Sequence, residues 1–269
     1  VADRLLDDVG ALLREAAATV VVPMFRRLDD ADITEKAPGE LVTVADRRAE
    51  EFISARLRQL RPGSVVVGEE AVAEDPDLLR HLRGAGDVWL VDPVDGTANF
   101  AAGRRPFALM VALLTDGAPV ASWVYDPLDG TLAACRTGAG TRLDGATVRN
   151  DRPAPQVGAL RGTAMTRFLP PDARRAVEAG GARIGELLPG QHCAGREYLD
   201  ILTGAQQFVL FWRTLPWDHA PGTLLVREAG GVARRFDGTD YRPADDGRGL
   251  LVAASPEIWD EVRSALLAG

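Results

Sequence analysis

One stretch limits the local structure of this chain more than any other. Val88-Trp89-Leu90-Val91 is followed at once by Asp92-Pro93-Val94-Asp95-Gly96-Thr97. Four apolar residues bounded by turn residues read as a buried strand. The hexapeptide after it reads as a tight turn that sets two carboxylates three residues apart, beside a Gly-Thr pair with free backbone N–H groups. Carboxylate oxygens hold hard cations such as Mg²⁺. Free N–H groups at the start of a helix hold phosphate. A single turn thus offers both halves of a metal-assisted phosphate site.

The pattern occurs twice. Asp126-Pro127-Leu128-Asp129-Gly130-Thr131 repeats the spacing between Ser122-Trp123-Val124-Tyr125 and Leu132-Ala133-Ala134-Cys135. Both flanks read as short strands, and Pro with Asp-Gly is ordinary turn chemistry, so this copy is expected to be a hairpin loop. The first copy runs instead into Ala98-Asn99-Phe100, and it has acidic company elsewhere.

That company is Glu69-Glu70, Asp46 and Asp218. Gly68-Glu69-Glu70 ends the apolar run Val65-Val66-Val67, and adjacent glutamates there are also what a solvated loop would show. Asp46 follows Leu41-Val42-Thr43-Val44-Ala45 and equally fits a helix N-cap before Arg47-Arg48-Ala49-Glu50. Asp218, in Pro216-Trp217-Asp218-His219-Ala220, has a capping explanation too. Taken singly, each acid has a structural reading. Together they are separated acidic points at the edges of apolar segments, as metal ligands drawn from distant sequence are.

With these residues in place the chain resembles the inositol monophosphatase family, within the wider group of Mg²⁺-dependent, lithium-sensitive phosphatases. The resemblance is carried by Lys36, Glu40-Leu41-Val42-Thr43 with Asp46, Gly68-Glu69-Glu70, Trp89 through Phe100, Pro216-Trp217-Asp218 and Glu228-Ala229-Gly230-Gly231, in the family's order. It implies an α+β fold, a layered α-β-α-β-α sandwich. It also implies that Glu69, Asp92 and the Val94 carbonyl hold a first Mg²⁺, that Asp92, Asp95 and Asp218 hold a second, and that Glu69 with water holds a weaker third. Gly96 and Thr97 would cradle the phosphate; Asp46, Thr97 and Glu69 would activate the attacking water; Lys36, Asp95 and Ala194 would complete the contacts to phosphate and leaving group. Relatives are commonly homodimers.

Rival phosphate chemistries fit less well. Aspartyl-phosphate hydrolases use acids two residues apart, whereas Asp92 and Asp95 are three apart. No Walker loop occurs, and Gly180-Gly181-Ala182-Arg183-Ile184-Gly185 lacks the strand of a dinucleotide fingerprint. His81, His192 and His219 have no metal-ligand spacing, and His219 reads as a surface or hydrogen-bonded structural residue. Cys135 and Cys193 lie outside the metal motifs and offer no rival nucleophile. Two cysteines give no disulfide framework, which fits a reducing cytoplasm. A net charge of −8 gives no reason to expect nucleic acid. No apolar run approaches the ~20 residues of a membrane span, and no secretory signal is visible. The Ala, Arg and Gly bias with few lysines fits a GC-rich bacterial genome. The expected partner is a small phosphorylated metabolite.

Helical periodicity covers Asp3 to Leu28, with Leu5, Leu6, Val9, Leu12 and Leu13 on one face, and Val44 to Leu60 reads as a second helix. Phe107 to Leu114 and Ala118 to Tyr125 read as strands joined at Asp116-Gly117. Arg152-Pro153-Ala154-Pro155 divides an N-terminal part, residues 1–152 with most metal ligands, from a C-terminal part, 153–269. Beyond it, helices are expected at Asp172–Ala179, Tyr198–Gln206, Ala220–Glu228 and Pro256–Leu267, and strands at Phe208–Phe211 and Leu250–Ala253.

The substrate is the open point. Inositol-specific relatives carry a glutamate seven residues before the aspartate of the Trp-Asp pair, and here that position is Phe211. Two readings stand: Phe211 removes the acceptor for a polyol hydroxyl, or it is core strand and the contact comes from elsewhere. Arg196 and Arg213 read either as contacts to a second phosphate or carboxylate or as solvated surface. Inositol monophosphate leads. Histidinol phosphate, a fructose bisphosphate and 3′-phosphoadenosine nucleotides are alternatives, as is a catalytically silent metal-binding regulator.

Overall fold

The computed structural model describes residues 2–37, 39–151 and 153–267. Arg152, at the expected boundary, lies outside the described residues.

The chain opens with α1 (Ala2–Ala16), a widened π turn at Ala17–Val21, and α2 (Val22–Met24). The wide turn comes just before Pro23, which has no N–H to return along the helix. Leu6, Val9, Leu12 and Leu13 are buried, as their period requires. A small hairpin, β1 (Ile33–Ala37) and β2 (Glu40–Thr43), leads into α3 (Val44–Leu60). A seven-stranded sheet follows in sequence order: β3 (Val65–Gly68), β4 (Asp87–Asp95), β5 (Ala108–Thr115), β6 (Ala118–Asp126), β7 (Thr131–Arg136), β8 (Gly140–Leu143) and β9 (Ala146–Val148). Between these strands lie α4 (Glu69–Glu74) and α5 (Thr97–Ala101). The second sheet has β10 (Arg161–Ala164), β11 (Glu186–Leu188), β12 (Phe208–Phe211), β13 (Val232–Arg234) and β14 (Leu250–Ala253), in the order β11-β10-β12-β14-β13. Its helices are α6 (Pro171–Gly180), α7 (Ala194–Thr203), α8 (Pro216–Glu228) and α9 (Pro256–Leu266).

Alternating strand faces set the layers. One face of the large sheet (Trp89, Val91, Leu109, Val111, Trp123) packs on Val9 and Leu13 of α1 and Ile53 and Leu57 of α3. The opposite face (Met110, Val124, Ala133) packs on Tyr198 and Leu202 of α7 and Leu225 of α8, which in turn cover Val209, Phe211 and Val252 of the small sheet. Phe208, Leu210 and Leu251 point the other way, onto Val177 of α6 and Trp259 and Val262 of α9. The result is the layered α-β-α-β-α sandwich that the resemblance implied. Full burial of each large apolar side chain contributes roughly 1.5–3 kcal/mol.

Three expected boundaries move. β4 does not stop at Val91 but continues to Asp95, with its register to β5 slipping between Asp92 and Asp95 around Pro93, which cannot donate to the ladder. α7 starts at Ala194 rather than Tyr198. α8 starts at Pro216, with Pro221 inside it rather than near its start; Pro216 occupies the first turn, where no N–H is needed. The remaining hairpin expectations hold. Asp116 and Gly117 both have positive φ (51° and 78°), as a two-residue β-hairpin turn requires. The second hexapeptide joins β6 to β7, with Asp126 opposite Thr131. No helix among the described residues is long and apolar enough to cross a membrane.

Candidate active site

The end of β4 organises the site. Asp92 Oδ1 accepts the Val94 N–H at 3.0 Å, which shapes the bulge around Pro93. Gly96 then turns the chain at φ 89°, and α5 begins at Thr97. A Cβ on Gly96 would stand 3.1 Å from the Pro106 carbonyl oxygen and 3.2 Å from Cys193 Cβ, so both conformation and space favour glycine. Asp95 faces the start of α7, where its Oδ2 accepts the Gly195 N–H at 2.6 Å and the Cys193 S–H at 3.0 Å.

Asp46 caps α3, though not from the N-cap position expected of it, and it also reaches Thr97. The N-cap of α3 is Thr43, and Asp46 is the third helical residue, whose Oδ2 accepts the Thr43 N–H at 2.9 Å and the Thr43 hydroxyl. This is a capping box with aspartate in the glutamate position. The other oxygen, Oδ1, lies 2.9 Å from Thr97 Oγ1, which is also 3.0 Å from the Val94 carbonyl. One hydroxyl hydrogen serves one acceptor at a time, so Thr97 can switch between them.

Glu69 opens α4 directly after Gly68 ends β3. Glu50, from α3, accepts the N–H groups of Glu70 and Ala71 at 2.8 and 2.9 Å and so pins the start of that helix. A Cβ on Gly68 would lie 2.2 Å from Glu50 Cδ, which explains the glycine before the two glutamates. Lys36 Nζ donates to Glu69 Oε1 and Glu70 Oε1, each at 2.7 Å. Asp218, in the first turn of α8, closes the group. Carboxylate oxygens of Glu69, Asp92 and Asp218 all lie within 4.8 Å of one another. Such a cluster is able to hold a metal ion.

The electrostatics agree with that use. Burial first, then the charges of Glu69, Asp95 and Asp218, push the Asp92 carboxyl well above its ordinary range. Burial and the Glu69 and Asp95 charges do the same to Asp218, against a smaller opposing effect of Arg213 and Lys36. Burial lifts Asp95 to about 6 although Cys193, Gly195 and Ala194 donate to it. Burial also lifts Asp46 to about 6 against its hydrogen bonds from Thr43 and Thr97. Glu70 rises to about 7, by burial against the Lys36 bond. Burial would lower Lys36, but Glu69 and Glu70 outweigh it and hold the ammonium above its usual value. Mutually repelling, desolvated carboxylates with so little cationic compensation are a donor set suited to a hard divalent cation.

A cavity of about 420 Å³ opens over these groups, with Glu69, Asp92, Val94, Asp95, Gly96, Thr97, Ala194 and Asp218 among its lining. Lys36 and Asp46 reach it through Glu69 and Thr97. All the site residues expected from sequence are therefore at or next to one cavity.

Other readings change. Of the two readings of His219 the hydrogen-bonded one holds: it is 2% exposed, with Nδ1 2.9 Å from the Tyr198 hydroxyl and Nε2 3.0 Å from the Arg213 carbonyl. Burial holds it down to about 3, so it is neutral. Phe211 is core strand, 5% exposed in β12, and it also lines the cavity, its ring 4.6 Å from that of His219. Arg196 is bound by Asp126, Asp129 and Asp200. Arg213 lines the cavity but pairs with Glu40. Cys193, set aside in the sequence, touches Asp95. Sequence reasoning also missed Glu50, Arg104 and Arg167; only the Gly68 requirement carried a trace of Glu50.

Known proteins place this geometry. The sequence model of the inositol monophosphatase family matches residues 4–268. The inositol-1-monophosphatase of Mesorhizobium japonicum is 32% identical over 225 residues, 80% of this chain and 79% of that protein. The Nus factor SuhB of Pasteurella multocida is 30% identical over 257 residues, 91% of this chain and 90% of that protein. The Thermotoga maritima IMPase structure superposes with a TM-score of 0.82 at 25% identity, covering 98% of this chain and 96% of that one. The chain belongs to the inositol monophosphatase family and is a phosphatase that hydrolyses phosphate monoesters.

Proposed function

We propose that the chain is a Mg²⁺-dependent phosphatase of small phosphate monoesters, with inositol monophosphate as the leading substrate, and that water attacks phosphorus in line. The observation that carries this is the convergence of Glu69, Asp92 and Asp218 within 4.8 Å, beside the Thr97–Asp46 hydrogen bond of 2.9 Å.

In this reading Glu69, Asp92 and the Val94 carbonyl hold one Mg²⁺, Asp92, Asp95 and Asp218 hold another, and Glu69 contributes to a third. When bound, Mg²⁺ lowers the pKa of water and offsets charge on the phosphate oxygens. The protein's own groups do the rest. The Gly96 and Thr97 N–H groups, at a helix start, bind phosphate oxygens and align phosphorus. Thr97 Oγ1 takes a proton from the attacking water as it passes its own to Asp46 Oδ1, and the leaving alkoxide is protonated from solvent. An acceptor near pKa 6 is matched to that task at neutral pH. Glu69 shares the orienting role. Lys36 fixes the Glu69 carboxylate and adds positive charge near the phosphate, and Ala194 meets the leaving alcohol. Residues 1–152 supply most of this machinery and 153–269 complete it; a homodimer is the expected assembly, in the cytoplasm.

The test is phosphate release with Mg²⁺ across inositol 1-phosphate, glycerol 2-phosphate, histidinol phosphate, fructose 1,6-bisphosphate and 3′-phosphoadenosine 5′-phosphate. Preference for inositol 1-phosphate, with inhibition by millimolar lithium, supports the reading in full. Preference for another ester keeps the mechanism and moves the substrate, a result Phe211 favours because it offers no acceptor to a polyol hydroxyl. No release with metal still bound would sink the reading.

A further inference from the structure

The rim of the cavity carries positive charge that the hydrolytic groups do not use. Arg104 lies just past α5, its backbone N–H donating to the Asn99 carbonyl at 2.8 Å. Arg167 follows β10. Both side chains are exposed and both line the cavity. Among the described residues, neither guanidinium has a carboxylate partner, whereas the nearby Arg105, Arg196 and Arg213 are each paired with one.

Arg167 is held in place nonetheless. Its guanidinium lies 5.0 Å from the centre of the Phe168 ring, and Arg213 lies 5.5 Å from the same centre. Arg174 donates to the Arg167 carbonyl at 3.1 Å and steadies the loop. A Cβ on Gly39 would stand 2.8 Å from Arg167 Nη2, so the guanidinium also packs on the β1–β2 loop. A guanidinium organised by a ring and left without an acid is suited to a bidentate grip on an oxyanion.

The transferred phosphate has its own cradle at Gly96 and Thr97. Met165, Phe211 and Leu215 in the cavity lining are apolar and offer nothing to a sugar hydroxyl, and Glu40, also in the lining, is paired with Arg213. We infer that the preferred substrates are phosphate monoesters whose leaving group carries a second anionic group, phosphate or carboxylate, gripped by Arg167 with Arg104. This rests on the phosphatase reading above and narrows it: where it holds, inositol monophosphate, whose leaving group is neutral, gives up the lead to an ester with a second anion.

Matched esters test it. Fructose 1-phosphate against fructose 1,6-bisphosphate adds a phosphate; glycerol 2-phosphate against 2-phosphoglycerate replaces a hydroxymethyl by a carboxylate. The second acid is expected to raise kcat/KM about tenfold or more in at least one pair, the scale of one charge-assisted contact. Which pair responds tells phosphate from carboxylate. Arg167→Ala should return the ratio towards one, Arg167→Lys should keep part of it, and Arg104→Ala should lower it less. Ratios near one in the wild type, or a ratio that survives Arg167→Ala, overturn the inference. So does an equal loss for both members of a pair, which is what a structural role would give. Absence of turnover with all four esters and with inositol 1-phosphate overturns the phosphatase reading instead. Calorimetric Kd values for fructose 1-phosphate and fructose 1,6-bisphosphate then decide the subsite alone: about tenfold tighter binding of the bisphosphate sustains it, and equal binding removes it.

Discussion

Asp92–Thr97 and Asp126–Thr131 share a spacing and part of a geometry, but not an environment. In each, the first aspartate accepts the N–H two residues on at 3.0 Å: Val94 for Asp92, Leu128 for Asp126. Around Asp92 the neighbours are Glu69, Asp95 and Asp218. Around the second copy they are guanidiniums, with Arg196 on Asp126 and on Asp129, and Arg105 on Asp129. The first turn concentrates negative charge and leaves it for a cation to balance; the second balances its own. The same hexapeptide is part of an acidic cluster able to hold a cation, or a stapled hairpin, according to what tertiary structure sets beside it.

The sharpest way to break this comparison is one matched substitution in each copy. Asp92→Asn should lower turnover by about three orders of magnitude or more, since in the proposed reading it removes a ligand shared by two Mg²⁺. The metal-free variant should unfold at a higher temperature than metal-free wild type at pH 7.5, because repulsion is relieved. Asp126→Asn should leave metal binding intact. Calorimetric titration with Mg²⁺ reads both, and loss of binding in the Asp126 variant would reverse the assignment.

A pH series sharpens it next. Asp46 and Asp95 are held up to about 6 in the folded protein, while the unfolded chain titrates near 4. Between those values the folded state keeps protons that the unfolded state has released. Protonation there favours the fold, and the benefit is lost as pH rises through 6. Chelated protein should therefore be less stable at pH 7.5 than at pH 5, by on the order of 2 kcal/mol for each group. Mg²⁺ should restore stability at the higher pH, because a bound cation balances the carboxylate charge that the lost protons leave behind. Thermal unfolding with chelator and with Mg²⁺ measures this; a chelated protein that gains stability from pH 5 to 7.5 would contradict it.

The third effect is smaller and belongs to the hairpin. Asp126→Ala removes the acceptor for two backbone N–H groups and one partner of Arg196, and should cost about 1.5–3 kcal/mol. Denaturant unfolding with Mg²⁺ present checks it, and the Mg²⁺ dependence of turnover should keep its midpoint.

The two turns also show how much was legible beforehand. β4, β6, β7 and the hairpin character of the second copy follow from apolar runs and turn residues, which act locally. Asp46 was legible only as a capping residue: read as the N-cap itself, it is the third helical residue answering the N-cap Thr43, and that its second oxygen meets Thr97, 51 positions on, is tertiary. β10, four residues reading Arg-Gly-Thr-Ala, has too little apolar pattern to announce a strand; pairing with β11 and β12 makes it one. Cys193 and Arg167 were hidden for the same reason. Nothing near Cys193 in sequence marks its contact with Asp95, 98 positions away. Arg167 stands at the cavity without an acid among the described residues, as Arg104 does, which only the folded surroundings decide.

Asp129→Asn is the smallest change and the finest discriminator. Asp129 holds the hexapeptide place of Asp95, but its side chain is 41% exposed and its partners are Arg105 and Arg196. Partly exposed pairs of this kind contribute about 0.2–1 kcal/mol, and Arg196 keeps Asp126 and Asp200. Stability should fall by less than about 1 kcal/mol, and more at low salt than at high, as screening requires. Asp95→Asn, the same chemical change at the matching place, should cut Mg²⁺ affinity sharply and stay insensitive to salt in its effect on folding, because that carboxylate is buried. If both variants showed one salt dependence and one metal affinity, neighbours would not be what separates the two turns, and backbone position on the sheet would have to carry the difference.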